Sequence, residues 1–193
     1  MADASMTVPG SRARTGVWVA IATISMSFAA YTSALMVRQD TLGDWAHFTL
    51  PPILFVNTLL LLASSVTIAL GLRRMKAGAA AGPATFASRG GRWLTVTLAL
   101  GLLFVAGQLL AWRSLAAQGL YLATTPGSSF FYVFTALHAL HLLGGIAALV
   151  YVIRLVLRSP ATAPLSAAGA TALYWHFMDV LWVYLLLVLA LRL

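Results

Sequence analysis

Five residues in the last two apolar stretches of this chain could do chemistry. His138 and His141 lie three positions apart, and His176, Asp179 and Trp182 are successively three apart. On a helix a spacing of three puts each set on one face. Both stretches are long and apolar enough to cross a bilayer, so each set must turn inward toward other protein groups. The first chemistry that fits is hydrogen bonding between helices, because ionisable residues in spans pair with one another. Proton handling comes next. Ligation comes last: a histidine pair could hold a metal, and His138 with His176 could hold a haem axially. The spans, however, supply one carboxylate, no cysteine and no glycine pattern that opens a haem slot. A lone carboxylate at that depth would cost several kcal/mol or take up a proton. Asp179 is therefore expected to accept from a histidine or a Trp indole on a neighbouring helix. Asn57 and Gln108, also in apolar stretches, read as interhelical clasps contributing ~1 kcal/mol each. Gly144, Gly145 and Ala148 give the small-residue spacing that lets two helices approach closely.

The elements that must position these residues are five apolar runs, roughly Gly16 to Met36, Pro51 to Gly71, Trp93 to Trp112, Phe130 to Ile153 and Ala168 to Leu191. Each is near the ~20 residues that cross a ~30 Å hydrocarbon core as a helix. With 61% hydrophobic and 8% charged residues, a water-soluble fold would lack the polar groups to cover its surface. Barrel strands are excluded by length and by the missing period-two alternation. The expected fold is all-α and integral to the membrane, a five-transmembrane-helix bundle forming a single domain over residues 1–193. Arg12 and Arg14 before the first run resemble a secretory signal, but that run exceeds the usual ~7–15 residue apolar core and reads as a retained helix. Arg73 to Arg92, with Gly78, Gly82, Pro83, Gly90 and Gly91, reads as a flexible cytoplasmic loop. Pro51 and Pro52 open the second helix, and Pro160 and Pro164 interrupt the connector before the fifth.

The absence of cysteine excludes disulfides, thiolate metal sites and cysteine nucleophiles. A net charge of +8 would suit nucleic acid, but its placement does not. Nine basic residues (Arg12, Arg14, Arg73, Arg74, Lys76, Arg89, Arg92, Arg154 and Arg158) fall on one side, and Arg38, Arg113 and Arg192 on the other. That bias places the N-terminus in the cytoplasm and the C-terminus outside. The basic residues then serve topology and anionic lipid heads, and no nucleic-acid role is expected.

Four segments resemble subunit III of the haem-copper cytochrome c oxidases, in that family's order. YWHFMDVLWVYLLL, Tyr174 to Leu187, is similar to the helix with the pattern WHFVDVVW. SSFFYVFTALHALHLLGG, Ser128 to Gly145, is similar to SxFFxLTGxHGxHVxxG. LPPILFVNTLLLLASS, Leu50 to Ser65, is similar to LPPLLWLNTxLLLASS, and LGLLFVAGQLLAW, Leu100 to Trp112, is similar to GxxFLxxQxxEW. With five helices the chain resembles the shorter bacterial members, which lack the first two of seven. Two family acids are missing: one aligns with Ile24, in GVWVAIATISMSF, and the other with Ala111. Their roles cannot be carried over, which leaves Asp179 as the one acid within a span.

The resemblance implies a multi-pass subunit of the bacterial plasma membrane without redox centres. Haem and copper would sit in the partner, catalytic subunit I, and the oxidase activity would belong to the complex. Assembly, lipid binding and proton uptake are the implied tasks. The implied partners are subunit I, the other oxidase subunits and membrane phospholipids, with a respiratory supercomplex as the larger assembly. Arg73, Arg74, Arg154 and Arg158 are placed to meet lipid phosphates. The expected polar network comprises His138, His141, His176, Asp179, Gln108, Asn57 and Trp182. The same helices fit an accessory subunit of a quinol oxidase or a nitric oxide reductase. The residues alone also leave open a stand-alone haem b protein using His138, His141 and His176, or a transporter, which the missing internal repeat disfavours.

Overall fold

A computed structural model describes residues 9–42, 48–81, 83–158 and 164–192. Among the described residues there are five α-helices and no strand: α1 (Pro9–Leu42), α2 (Ile53–Ala81), α3 (Pro83–Ala117), α4 (Pro126–Arg158) and α5 (Leu165–Arg192). All five are long and apolar enough to cross a membrane. At 28 to 35 residues each, they measure roughly 42–53 Å and outrun the ~30 Å hydrocarbon core.

The extra length falls partly where a loop was expected. Most of Arg73 to Arg92 is helical, α2 continuing to Ala81 and α3 starting at Pro83. Alanine is the strongest helix former, so the Ala-rich run carries α2 past the end of its apolar stretch. Pro83 opens α3 at the position where a missing backbone donor costs nothing. Gly90 lets the two helices close on each other, since a Cβ there would fall 2.2 Å from Met75 Cγ. Gly82 and Pro160 lie outside the described residues.

Helix ends elsewhere follow local chemistry. At α4 the Thr125 hydroxyl accepts from Ser128 N (3.1 Å) and the Ser128 hydroxyl from Thr125 N (3.0 Å), a reciprocal cap with Pro126 at the first helical position. α3 ends at Ala117, and the chain turns at Gly119, whose φ of 78° suits glycine; Leu120 N bonds Leu115 O (3.1 Å) and Gly119 N bonds Ala116 O (3.0 Å).

Buried residues recur at alternating steps of three and four. On α2 they include Leu54, Asn57, Leu61, Ser64, Ile68, Gly71 and Met75, and on α3 Leu94, Thr97, Gly101, Phe104, Gln108, Ala111 and Leu115. This 3.5-residue period is that of left-handed helix packing. Lipid is as apolar as leucine, so these seams hold by close packing and hydrogen bonds. α5 is the central element: half of its membrane window is buried, against 22% for α1. It packs on α1, α2 and α4, whereas α1 and α2 do not approach each other among the described residues.

Candidate functional site

Every expected polar residue falls on or beside these seams, and α5 organises most of them. Trp175 Nε1 donates to Ser64 Oγ on α2 at 2.9 Å, and Trp182 Nε1 to Thr58 Oγ1 at 3.0 Å. Between them, His176 Nδ1 pairs with Ser65 Oγ at 2.6 Å. The hydroxyls of Thr58 and Ser64 pass their own protons to Leu54 O (2.8 Å) and Leu61 O (2.7 Å). Three rungs thus join the antiparallel helices α2 and α5. They fit because the helices run in opposite directions and the partners recur at nearly equal steps, six or seven residues from Thr58 to Ser64 and Ser65 on α2 and six or seven from Trp182 back to His176 and Trp175 on α5, about two turns on each helix.

The remaining expected residues are placed differently. His138 is fully buried, and neither ring nitrogen has a hydrogen-bond partner. Its ring packs against Trp182 (5.1 Å between centroids) and Phe104 (5.9 Å), and Phe104 meets Trp182 edge-on at 4.9 Å. His141 is half-buried; its Nδ1 donates to Leu137 O (2.7 Å), and its backbone carbonyl accepts from the Tyr174 hydroxyl (3.0 Å). Asn57 and Gln108 are buried with both amide atoms unpartnered. Asn57 lies over Gly107, with Oδ1 2.0 Å from where a Cβ there would stand.

Asp179 departs from expectation. It is 4% exposed, and neither carboxyl oxygen has a hydrogen-bond partner. The Ser65 side chain faces the carboxyl without closing a hydrogen bond. The indoles of Trp112, Trp175 and Trp182 donate instead to Thr135, Ser64 and Thr58, His176 Nδ1 pairs with Ser65, and His138 packs against aromatic rings without bonding the carboxyl. His176 and His138 present no common opening to a haem, since one faces Ser65 and the other is enclosed by aromatic rings. Among the described residues no three of His, Cys, Asp or Glu could hold a metal together.

The hydroxyl partners were missed in the sequence. Thr58, Ser64 and Ser65, and also Thr135 under Trp112, are common residue types in any span. The similar spacing of about two turns on α2 and α5 was the available signal. Ile24 and Ala111, at the positions of the family's acids, are both buried in the apolar core. Arg73, Arg74, Arg154 and Arg158 are all exposed.

Residues 17–191 match the family model for cytochrome c oxidase subunit III. A probable cytochrome c oxidase subunit 3 from Mycobacterium tuberculosis is 32% identical over 170 residues, covering 84% of this chain and 77% of that one. The cytochrome c oxidase subunit 3 of Corynebacterium diphtheriae is 34% identical over 145 residues, covering 73% and 67%. That of a Synechocystis strain is 27% identical over 179 residues, covering 88% and 71%. The chain belongs to the cytochrome c oxidase subunit III family and is a multi-pass membrane subunit III of a haem-copper oxidase.

Proposed function

We propose that this chain is a non-catalytic subunit that supports assembly, lipid binding and proton uptake of the oxidase's catalytic subunit. It sits in a bacterial plasma membrane with its N-terminus in the cytoplasm and its C-terminus outside. The observation that carries this reading is the ladder of Trp175, His176 and Trp182 on Ser64, Ser65 and Thr58, where polar groups at membrane depth hold helices together. A proton path through the chain itself is disfavoured, because Ile24 and Ala111 are buried apolar side chains and one aspartate does not bridge ~30 Å. Exposed Arg73, Arg74, Arg154 and Arg158, at the helix ends that the charge bias assigns to the cytoplasm, support contact with lipid phosphates. The names of the relatives support cytochrome c as the electron donor of the complex.

Deleting the subunit should leave electron transfer in the catalytic subunit measurable, with a less stable complex and a shorter turnover lifetime. Asp179→Asn in the intact oxidase keeps the shape of the side chain and removes its titration, and should retain most oxygen reduction. A complete loss, with assembly and haem content unchanged, would show that this chain does chemistry.

A further inference from the structure

Between α1 and α2 the outward face of α5 is open. Leu173, His176, Val180, Val183 and Leu187 follow one another there at steps of three and four, the spacing of a packing seam. Yet Val180 is 69% exposed, Val183 43% and Leu187 57%. Both walls are tied to this floor: α2 through His176 and Ser65, and α1 through the Tyr184 hydroxyl, which donates to Thr32 Oγ1 at 2.9 Å. Because α1 and α2 do not meet, the result is a trough along the membrane-spanning length of α5.

Two features give the trough a polar pattern. His176 Nδ1 is committed to Ser65, while Nε2 has no partner and is not enclosed. A ring nitrogen left facing hydrocarbon is costly, so its cover should be polar. At the N-terminal end of α5 the trough deepens into a cavity of about 460 Å³ lined by Arg14 from α1, Lys76 from α2 and the apolar Leu72 and Leu173. Neither cation has an ion-pair partner among the described residues. Lys76 lies eleven residues beyond Ser65 on the same helix, which places the two polar points roughly 15 Å apart along the trough.

We propose that this trough seats one transmembrane helix of a neighbouring oxidase subunit. That helix presents a hydrogen-bonding side chain to His176 Nε2 and, about ten residues toward the Arg14 end, an acidic group to Arg14 and Lys76. The proposal rests on the chain's role as a bound oxidase subunit, and it assigns the face that does the binding. An apolar seam of this length matches a helix, and the charge at its end complements an acid.

The test is photocrosslinking in the assembled oxidase. Benzoylphenylalanine replaces Val180 or Val183 in the trough and, as controls, Val96 on α3 or Leu140 on α4, all exposed positions. The trough positions should crosslink to a single helix of another oxidase subunit, identified by mass spectrometry, at a yield the controls do not reach. Arg14→Glu with Lys76→Glu should lower retention of this chain on detergent washing by about tenfold, and so should His176→Leu, whereas His176→Gln should be retained. Adducts with lipid alone, or with a second copy of this chain, in a complex that still holds the subunit would overturn the trough assignment and leave the accessory role standing. Failure of the unmodified chain to copurify with the oxidase would overturn both.

Discussion

Asn57 and Gly107 show how much of this fold turns on single atoms. The amide of Asn57 occupies the space a side chain at position 107 would need. Gly107→Ala should therefore destabilise the purified subunit by about 1–3 kcal/mol, read as a lower melting temperature. Adding Asn57→Ala should recover most of that loss, because it removes the clashing group. A single variant as stable as the parent would show that α2 and α3 can part at no cost. At this scale the sequence was half legible. Six of the seven residues expected in the network stood out because amides, histidines and an aspartate are rare in lipid, although Asn57, Gln108, His138 and Asp179 have no hydrogen-bond partner. The hydroxyl partners did not stand out: Ser64, Ser65 and Thr58 satisfy their own helix as readily as a neighbour, so residue type does not reveal which donor each accepts. Nor could spacing show that His138 would be enclosed by Phe104 and Trp182, or that the indoles would turn to hydroxyls and leave Asp179 unbonded.

Elements were legible as spans and less so as helices. Hydropathy marks where hydrocarbon begins, but a helix ends where its caps do, at Thr125 for the start of α4 and Gly119 just beyond α3. The apolar runs therefore located all five helices and cut each of them short, and the Ala-rich segment after Arg73 read as a loop because glycine and alanine carry no apolar period. The pairing of α2 with α5 is testable at this scale. Trp182→Phe, Thr58→Val and the double variant form a cycle that isolates the rung between them. The coupling should be about 0.6–1 kcal/mol, the range of hydrogen bonds between membrane helices, measured by unfolding in mixed micelles. Strict additivity would mean that the rung, although formed, holds nothing.

At the scale of the whole molecule, the basic residues set a direction that labelling can read, since a chain without cysteine accepts single probes cleanly. Arg158→Cys, exposed at the end of α4, should react with a membrane-impermeant maleimide in inverted vesicles, and Leu122→Cys, exposed between α3 and α4, in intact cells with any outer membrane made permeable. The reverse pattern would invert the topology. The order in which helices touch also has a temporal side. α2 and α3 follow each other directly and pack extensively, so they can pair as soon as both leave the ribosome. α1 emerges before them, yet its main neighbour is α5, and roughly 120 residues separate Leu42 from Leu165. At ~5–20 residues per second that interval lasts roughly 6–25 s. Throughout it Thr32 lacks its α5 partner, and until α4 emerges with Phe134 and His141 no packed neighbour covers Phe28 and Tyr31. A nascent chain stalled before Pro126 would hold a closed α2–α3 hairpin beside a solitary α1, which marks the first helix as the one a membrane protease would find when synthesis fails.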